Sequence, residues 1–246
     1  MHGLMQNMPL MISSLIRHAD RNHGDTESSR ARPPAPSTAT PTATHTAVRA
    51  SSRARCSPSA SRRATTWRRW PWNNHRHFEL YYGVSGMGAI LNTVNPRLFP
   101  EQIAYIINHA EDGHVFFDLT FLPLVEGVAP HCKGVKAWVA LTDRAHMPES
   151  KLDLLCYEDL INAHSDDFEW PQFDETTASL AVLHLGHHGQ PEGALYSHRS
   201  TVLHAWPGAA RCAQPVGARH RAAGGAALPR QRLGPALCLR WPAPSW

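Results

Sequence analysis

Two runs of side chains in the sequence could do chemistry. His184, His187, His188 and His198 carry imidazoles of the kind that bind zinc, but their spacing matches neither a helix nor a strand. The run from Trp67 to Trp72 interleaves arginine with tryptophan, a combination that can stack on and clamp a single-stranded nucleic acid. Both interpretations compete with a codon-level explanation, in which the same residues arise from a shifted reading frame.

The acidic residues between 166 and 175 are a third candidate site. Asp166, Asp167, Glu169, Asp174 and Glu175 could ligate a metal through their carboxylates. Such a charge run is more often a solvated segment. We therefore predict an exposed acidic linker here rather than a metal site.

Charge is distributed very unevenly along the 246 residues, which carry 24 Lys+Arg and 20 Asp+Glu. All the acidic residues lie in 1–27 and 79–192, so that 28–78 and 193–246 contain none. All the lysines lie in the acid-containing middle, whereas basic tails that bind nucleic acid usually mix Lys with Arg. Arg, Ala, Pro and Gly without Lys or acid is also the composition of a GC-rich gene read out of frame.

Length and composition exclude several classes of protein. The chain is long enough for one large domain or two small ones. It has no apolar run near the roughly 20 residues that span a bilayer, and we identify no signal peptide. Its five cysteines are irregularly spaced and form no C-x-x-C pair, which argues against a disulfide framework or a zinc knuckle. We expect a cytoplasmic protein.

The middle of the chain has the periodicity of alternating helices and strands. One predicted helix begins near Phe99 and has Ile103, Ile106, Ile107 and Ala110 on one face. Helices are predicted over 77–91, from 99, over 121–129 and over 155–163, and strands over 114–118 and 135–141. Alternation at this spacing predicts βαβ units and a parallel sheet.

Several segments resemble a known family. These are L-N-T-V-N-P-R-L at 91–98, Q-I-A-Y-I-I-N-H-A-E-D at 102–112, P-E-G-A-L-Y-S-H-R-S at 191–200 and the opening at 9–27. They resemble the N-terminal domain of AMP-forming acyl-CoA synthetases, most of all the medium- and long-chain fatty-acid–CoA ligases. The resemblance is specific in the middle of the chain and, apart from 193–200, absent from the two acid-free blocks.

The resemblance implies an α/β fold: a fragment of the N-terminal domain of an adenylate-forming ligase, with disordered or poorly folded Arg/Pro/Ala-rich segments. The expected organisation is a segment in the family's frame at 1–28, a frameshifted and disordered segment at 29–71, the α/β part of the AMP-binding domain at 72–179, a degenerate phosphate loop with its following segment at 180–204, and a frameshifted tail at 205–246.

The family's phosphate loop reads Y-T-S-G-T-T-G-x-P-K-G, and 183–193 corresponds to it here. Glycines let the backbone approach phosphate oxygens, hydroxyls donate to them, and the lysine adds a positive charge. Gly186, Gly189, Pro191 and Gly193 keep this pattern. Both threonines and the serine are missing, and Glu192 replaces the lysine with a carboxylate that would repel polyphosphate. No catalytic residue and no metal ligand can be assigned.

A shifted reading frame accounts for the missing motifs. Moving the frame by one base lets codons 180–190 encode S-L-C-Y-T-S-G-T-T-G, and lets 220–238 encode T-V-L-P-V-V-P-x-F-H-V-N-A-W-G-L-P-Y. The opposite shift lets 60–71 encode G-V-x-P-G-D-x-V-A-T-L-A. We hypothesise that blocks of about 29–71, 180–189 and 205–246 are translated out of frame from a damaged or mis-sequenced ligase gene.

For an intact relative, the resemblance implies two half-reactions. A fatty carboxylate attacks Mg-ATP to give an acyl-adenylate and diphosphate, and coenzyme A then displaces AMP. ATP, Mg²⁺, coenzyme A and a fatty acid are therefore the implied cofactors and partners. We expect the remaining adenylate-site motifs to lie beyond Trp246 and this chain to be inactive. Two alternatives stay open: a basic, partly disordered nucleic-acid-binding protein, and a non-catalytic nucleotide- or acyl-binding module.

Overall fold

A computed structural model describes residues 5, 7–23, 27–32, 35–41, 66–70, 75–163, 169–185 and 191–212. Its helices are α1 Ile12–His23, α2 His75–Gly86, α3 Pro100–His109, α4 Leu122–Val128, α5 Tyr157–Asn162 and α6 His198–Cys212. Its strands are β1 Glu27–Arg32, β2 Ala35–Pro41, β3 Thr66–Trp70, β4 Ile90–Thr93, β5 Asp112–Phe117, β6 Ala137–Ala140, β7 Leu154–Cys156, β8 Ala178–Leu185 and β9 Pro191–Ser197. None of the described helices is long and apolar enough to cross a membrane.

Seven strands form one sheet in the order β7-β6-β5-β3-β4-β8-β9. All neighbours in it are parallel except β8 and β9, which form an antiparallel pair. β3 therefore lies at the centre, with three strands on each side. β1 and β2 pair with each other in a separate two-stranded sheet.

Helices cover both faces of the large sheet. One buried cluster joins α1, α2, α5 and α6 to alternate strand residues such as Phe116 and Val139. A second cluster joins α3 and α4 to the intervening residues, Val115, Phe117 and Ala140. Because successive side chains of a strand point to opposite faces, the two clusters lie on opposite sides of the sheet. The α/β class with a parallel sheet, predicted from the sequence, is confirmed.

Helix α3 forms as its sequence predicts. Pro100 occupies the first turn, where its missing N–H costs nothing. The Gln102 side chain accepts a hydrogen bond from the Phe99 backbone N–H at 3.2 Å, which satisfies one free donor at this helix end. Ile103, Ile106 and Ile107 are buried against the sheet, which confirms the predicted apolar face.

Two predicted helix bounds were wrong, and strand pairing explains both. The helix expected over 77–91 ends at Gly86, because Gly88 adopts a left-handed φ of +91° and the chain then enters β4. The helix expected from residue 155 begins at Tyr157, because 154–156 pair with β6. Apolar runs this short do not distinguish a helix from a buried strand.

Within the segment 29–71, predicted to be frameshifted and disordered, the structure describes 29–32, 35–41 and 66–70. Parts of it form β1 and β2, and 66–70 form β3; residues 33–34, 42–65 and 71 lie outside the described residues. The physical reason is that β4 and β5 flank a gap one strand wide, and the backbone of β3 fills it by pairing with both. Likewise 180–185 belong to β8, and the tail is described only to Cys212.

Candidate functional site

The degenerate phosphate loop, 183–193, includes the last residues of β8 and the first residues of β9. In the antiparallel register, Leu183 faces Gly193, and position 184 faces position 192. Pro191 and Gly193 therefore lie on β9, whereas Gly186 and Gly189 fall in 186–190, outside the described residues. The structure thus locates two of the four predicted residues, beside the point where the two strands join.

Gly193 is not needed for the packing of the hairpin. A Cβ added there would meet the Leu183 Cγ at 3.6 Å, which is ordinary van der Waals contact. Its φ is not in the left-handed region that favours glycine. An alanine would therefore fit the hairpin itself, so the hairpin does not explain why this position lacks a side chain.

The base of the hairpin is tied to the N-terminal segment. The Glu175 carboxylate accepts a hydrogen bond from the Leu10 backbone N–H at 2.7 Å and pairs with the Arg199 guanidinium. The Arg199 N–H donates to the Glu175 carbonyl at 2.8 Å, and the His198 N–H donates to the Thr177 carbonyl at 3.0 Å. These bonds join the turn before β8 to the start of α6 and to the approach to α1.

Glu175 therefore does not belong to a solvated linker. The Leu10 amide and the Arg199 guanidinium hold the pKa of its carboxyl below the usual range. Asp174, in contrast, is exposed and accepts hydrogen bonds from the Thr176 N–H and hydroxyl. Residues 164–168 lie outside the described residues. Sequence spacing could not reveal the contact with Leu10, since 165 residues separate the partners.

His198 is a structural residue rather than a metal ligand. Its side chain is fully buried, its Nδ1 accepts a hydrogen bond from the Ile12 N–H at 3.3 Å, and the Phe173 ring meets it edge-on. Burial lowers the pKa of His198 to about 4, so the ring is neutral at pH 7. Across the described residues, no three His, Cys, Asp or Glu side chains come together to hold a metal; His187, His188 and the side chain of His184 lie outside that range.

A groove of about 570 Å³ lies beside the contact between Glu175, Arg199 and Leu10. It is lined by Asn7, Met8, Pro9, Leu10, Phe173, Asp174, Glu175 and Arg199. Glu175 and Arg199 are paired with each other across it. Asp174 is the other charged residue in the lining, so the charge left for a ligand is that of a carboxylate.

A polar cluster, missed from the sequence and buried at Glu79 and Tyr157, lies at the carboxyl ends of β6 and β7. The Tyr157 hydroxyl donates to the Glu79 Oε2 at 3.0 Å, and burial, followed by the charge of Glu79, raises the pKa of Tyr157 well above its usual value. Arg76 donates to the Glu158 carboxylate and to the Leu141 carbonyl. This edge is where open α/β sheets bind ligands, but these groups bind one another and hold α2 to the strand ends.

The Trp/Arg run from 67 to 72 begins within the central strand. Its first four residues complete β3, paired with β4 on one side and β5 on the other. Stacking on a nucleic acid requires side chains on an open surface, whereas a strand at the middle of this sheet lies between two layers of helices. The nucleic-acid interpretation loses its strongest support.

Known proteins resemble this chain in both sequence and fold. No protein-family model matches the sequence. It is 45% identical over 212 residues to 3-methylmercaptopropionyl-CoA ligase of Ruegeria pomeroyi, covering 84% of this chain and 38% of that ligase. It is 40% identical over 208 residues to medium-chain-fatty-acid–CoA ligase of Ectopseudomonas oleovorans, covering 83% of this chain and 38% of that ligase.

The fold is also found in a solved structure, that of an anthranilate–CoA ligase in complex with anthranoyl-AMP. The match has a TM-score of 0.69 at 16% identity, over 82% of this chain and 38% of that ligase. The fold is thus that of the N-terminal domain of adenylate-forming ligases. Within that class, the chain belongs to the AMP-forming acyl-CoA ligase family and spans about 38% of the length of the curated relatives it matches.

Proposed function

We propose that the gene behind this chain encodes a ligase that activates a medium- or long-chain fatty acid with ATP and transfers it to coenzyme A. The observation that carries the proposal is the identity of 45% and 40% to two CoA ligases over more than four fifths of the chain. The acids named for those two relatives are different, so the relatives support the reaction more strongly than the acyl chain.

The residues present in this chain do not fit Mg-ATP. A polyphosphate needs hydroxyl and amide donors and a cation. Position 192, one residue into β9 beside the loop, carries glutamate, and 183–193 contain neither serine nor threonine. We therefore derive no catalytic step through this loop, and we propose that the chain as it stands has no ligase activity.

The out-of-frame hypothesis gains support from the position of β3. A central parallel strand with helices on both faces normally reads as a nearly continuous apolar run. Here positions 68 and 69, which pair with Asn92 and Thr93 of β4, are both arginine. The shifted frame permits V-A-T-L in place of W-R-R-W at 67–70, a sequence suited to that position. Composition alone could not provide this argument, because it does not identify the central strand.

Two measurements test the proposal. The first is resequencing of the coding DNA across codons 25–75 and 175–246, where we expect single-base shifts at the block boundaries. Wobble bases that forbid the shifted motifs would remove the out-of-frame hypothesis. The second is an assay of acyl-CoA formation from ATP, coenzyme A and fatty acids of graded length. We expect no product from the chain as it stands and product from the frame-restored gene; product from the present chain would refute its inactivity.

A further inference from the structure

The N-terminal end of helix α1 is capped by side chains from a distant part of the chain. The Ile12 N–H is one of the donors that a helix leaves without an internal partner, and it donates to the His198 Nδ1 at 3.3 Å. The Leu10 N–H, just before the helix, donates to the Glu175 carboxylate at 2.7 Å. The two contacts span 186 and 165 residues of sequence, so tertiary contacts hold the start of α1.

The two capping residues lie on either side of the β8–β9 pair. Glu175 precedes β8, and His198 directly follows β9 as the first residue of α6. Their backbones also close the base of this pair. The His198 N–H donates to the Thr177 carbonyl at 3.0 Å, and the Arg199 N–H donates to the Glu175 carbonyl at 2.8 Å. A shift of α1 would therefore act on both strands at once.

Ser179 extends this contact into the two strands. It is fully buried on β8, at the point where the register with β9 is irregular. Its hydroxyl donates to the Tyr196 carbonyl at 3.0 Å and lies 3.2 Å from the Thr201 hydroxyl of α6. The Ser85 hydroxyl of α2 donates to the Ser179 carbonyl at 2.8 Å. Side-chain hydrogen bonds thus tie the base of the β8–β9 pair to α2 and α6, which pack with α1 in one buried cluster.

These contacts do not depend on the blocks that we hypothesise to be out of frame. Every residue that makes them lies outside 29–71, 180–189 and 205–246. The frame-restored gene would therefore encode the same residues at these positions. The phosphate-loop motif that the shifted frame permits lies where the two strands join.

We propose that Glu175 is a positioning residue for the ligase. Because it ties the start of α1 to the base of the β8–β9 pair, the docking of α1 sets the position of the strands that lead to the phosphate loop. The N-terminal segment then contributes to ATP binding through the geometry of that loop. The part that concerns ATP rests on the proposed function, whereas the coupling between α1 and the two strands does not.

Hydrogen exchange measured by mass spectrometry on the full chain tests the coupling. Glu175→Ala should speed exchange in α1 and in β8 and β9 together. Glu126→Ala is the matched control, because it removes another carboxylate that accepts hydrogen bonds from the Ser150 hydroxyl and the Lys151 N–H. It should speed exchange around α4 alone. Exchange in β8 and β9 that stays at the parent rate in Glu175→Ala, or that rises equally in both variants, would overturn the coupling.

Kinetics of the frame-restored enzyme test the role in ATP binding. Glu175→Ala should lower kcat/KM for ATP about 10–100-fold, the cost of a small misplacement of binding groups, mainly through KM. The KM for the fatty acid should stay near that of the parent. Partial unfolding would instead reduce the amount of active enzyme, which lowers the apparent kcat and leaves both KM values unchanged.

Two further variants complete the kinetic experiment. Glu175→Gln keeps an oxygen that can accept the Leu10 N–H and should recover most of the loss, whereas Glu126→Ala should keep the parent KM for ATP. An unchanged KM for ATP in Glu175→Ala, or an equal rise in Glu126→Ala, would overturn the positioning role. A frame-restored parent without ligase activity would refute the proposed function and the role in ATP binding with it, and the exchange experiment would still decide the coupling.

Discussion

The end of helix α2 gives the sharpest test of the packing. A Cβ added at Gly86 would lie 2.3 Å from the Trp170 Cζ3 and 2.8 Å from its Cε3, distances that real contacts do not reach. Trp170 is only 8% exposed, so its indole has little room to move. Gly86→Ala should therefore destabilise the fold, although alanine is the better helix former.

The expected change in the free energy of unfolding is the difference between two opposing effects. Replacing glycine by alanine in a helix gains at most about 1 kcal/mol, whereas overpacking a well-filled core costs about 1–3 kcal/mol. The 2.3 Å approach puts this site at the upper end of that range, so we expect a net loss of about 1–2 kcal/mol. For a chain of this size that lowers the melting temperature by about 2–8 °C.

Urea unfolding followed by far-ultraviolet circular dichroism measures the loss. Trp170→Phe removes the ring atoms that clash, so in that background Gly86→Ala should become neutral or stabilising, a coupling of about 1–3 kcal/mol. Gly127→Ala is the matched control, because a Cβ at Gly127 meets nothing within 4 Å. The reasoning fails if Gly86→Ala is as stable as the parent, or if its cost is the same in both backgrounds.

Two further predictions concern buried polar groups. Tyr157→Phe removes the hydroxyl that donates to Glu79 and should cost about 1–3 kcal/mol in urea unfolding; an unchanged midpoint would contradict the buried pair. Burial lowers the pKa of His198 to about 4 from an ordinary 6.5, so the unfolded chain binds more protons between these values. Its contribution to stability is therefore present above pH ~6.5 and falls by up to about 3 kcal/mol as the pH drops towards 4. His198→Asn should flatten the slope over this window relative to the parent, and equal slopes would refute the assignment.

Local periodicity predicted those elements whose apolar residues recur at a short, regular spacing in the sequence. The apolar face of α3 and the strands β5 and β6 can be read from residues a few positions apart. The Glu175–Leu10 contact could not, because 165 residues separate its two partners. The Tyr157–Glu79 pair could not for the same reason, since the partners are 78 residues apart.

β3 shows why composition and fold give different predictions for the same residues. A segment of T-W-R-R-W has no apolar alternation and reads as disordered, yet β4 and β5 both require a strand between them. The backbone can pair whatever side chains it carries, whereas the two helical layers over the sheet favour an apolar strand. The side chains of T-W-R-R-W therefore conflict with the central position of β3, whereas its backbone pairing does not. Under the out-of-frame hypothesis, one-base shifts of opposite direction account for both anomalies: one permits V-A-T-L at 67–70 of β3, and the other permits the phosphate-loop motif between β8 and β9.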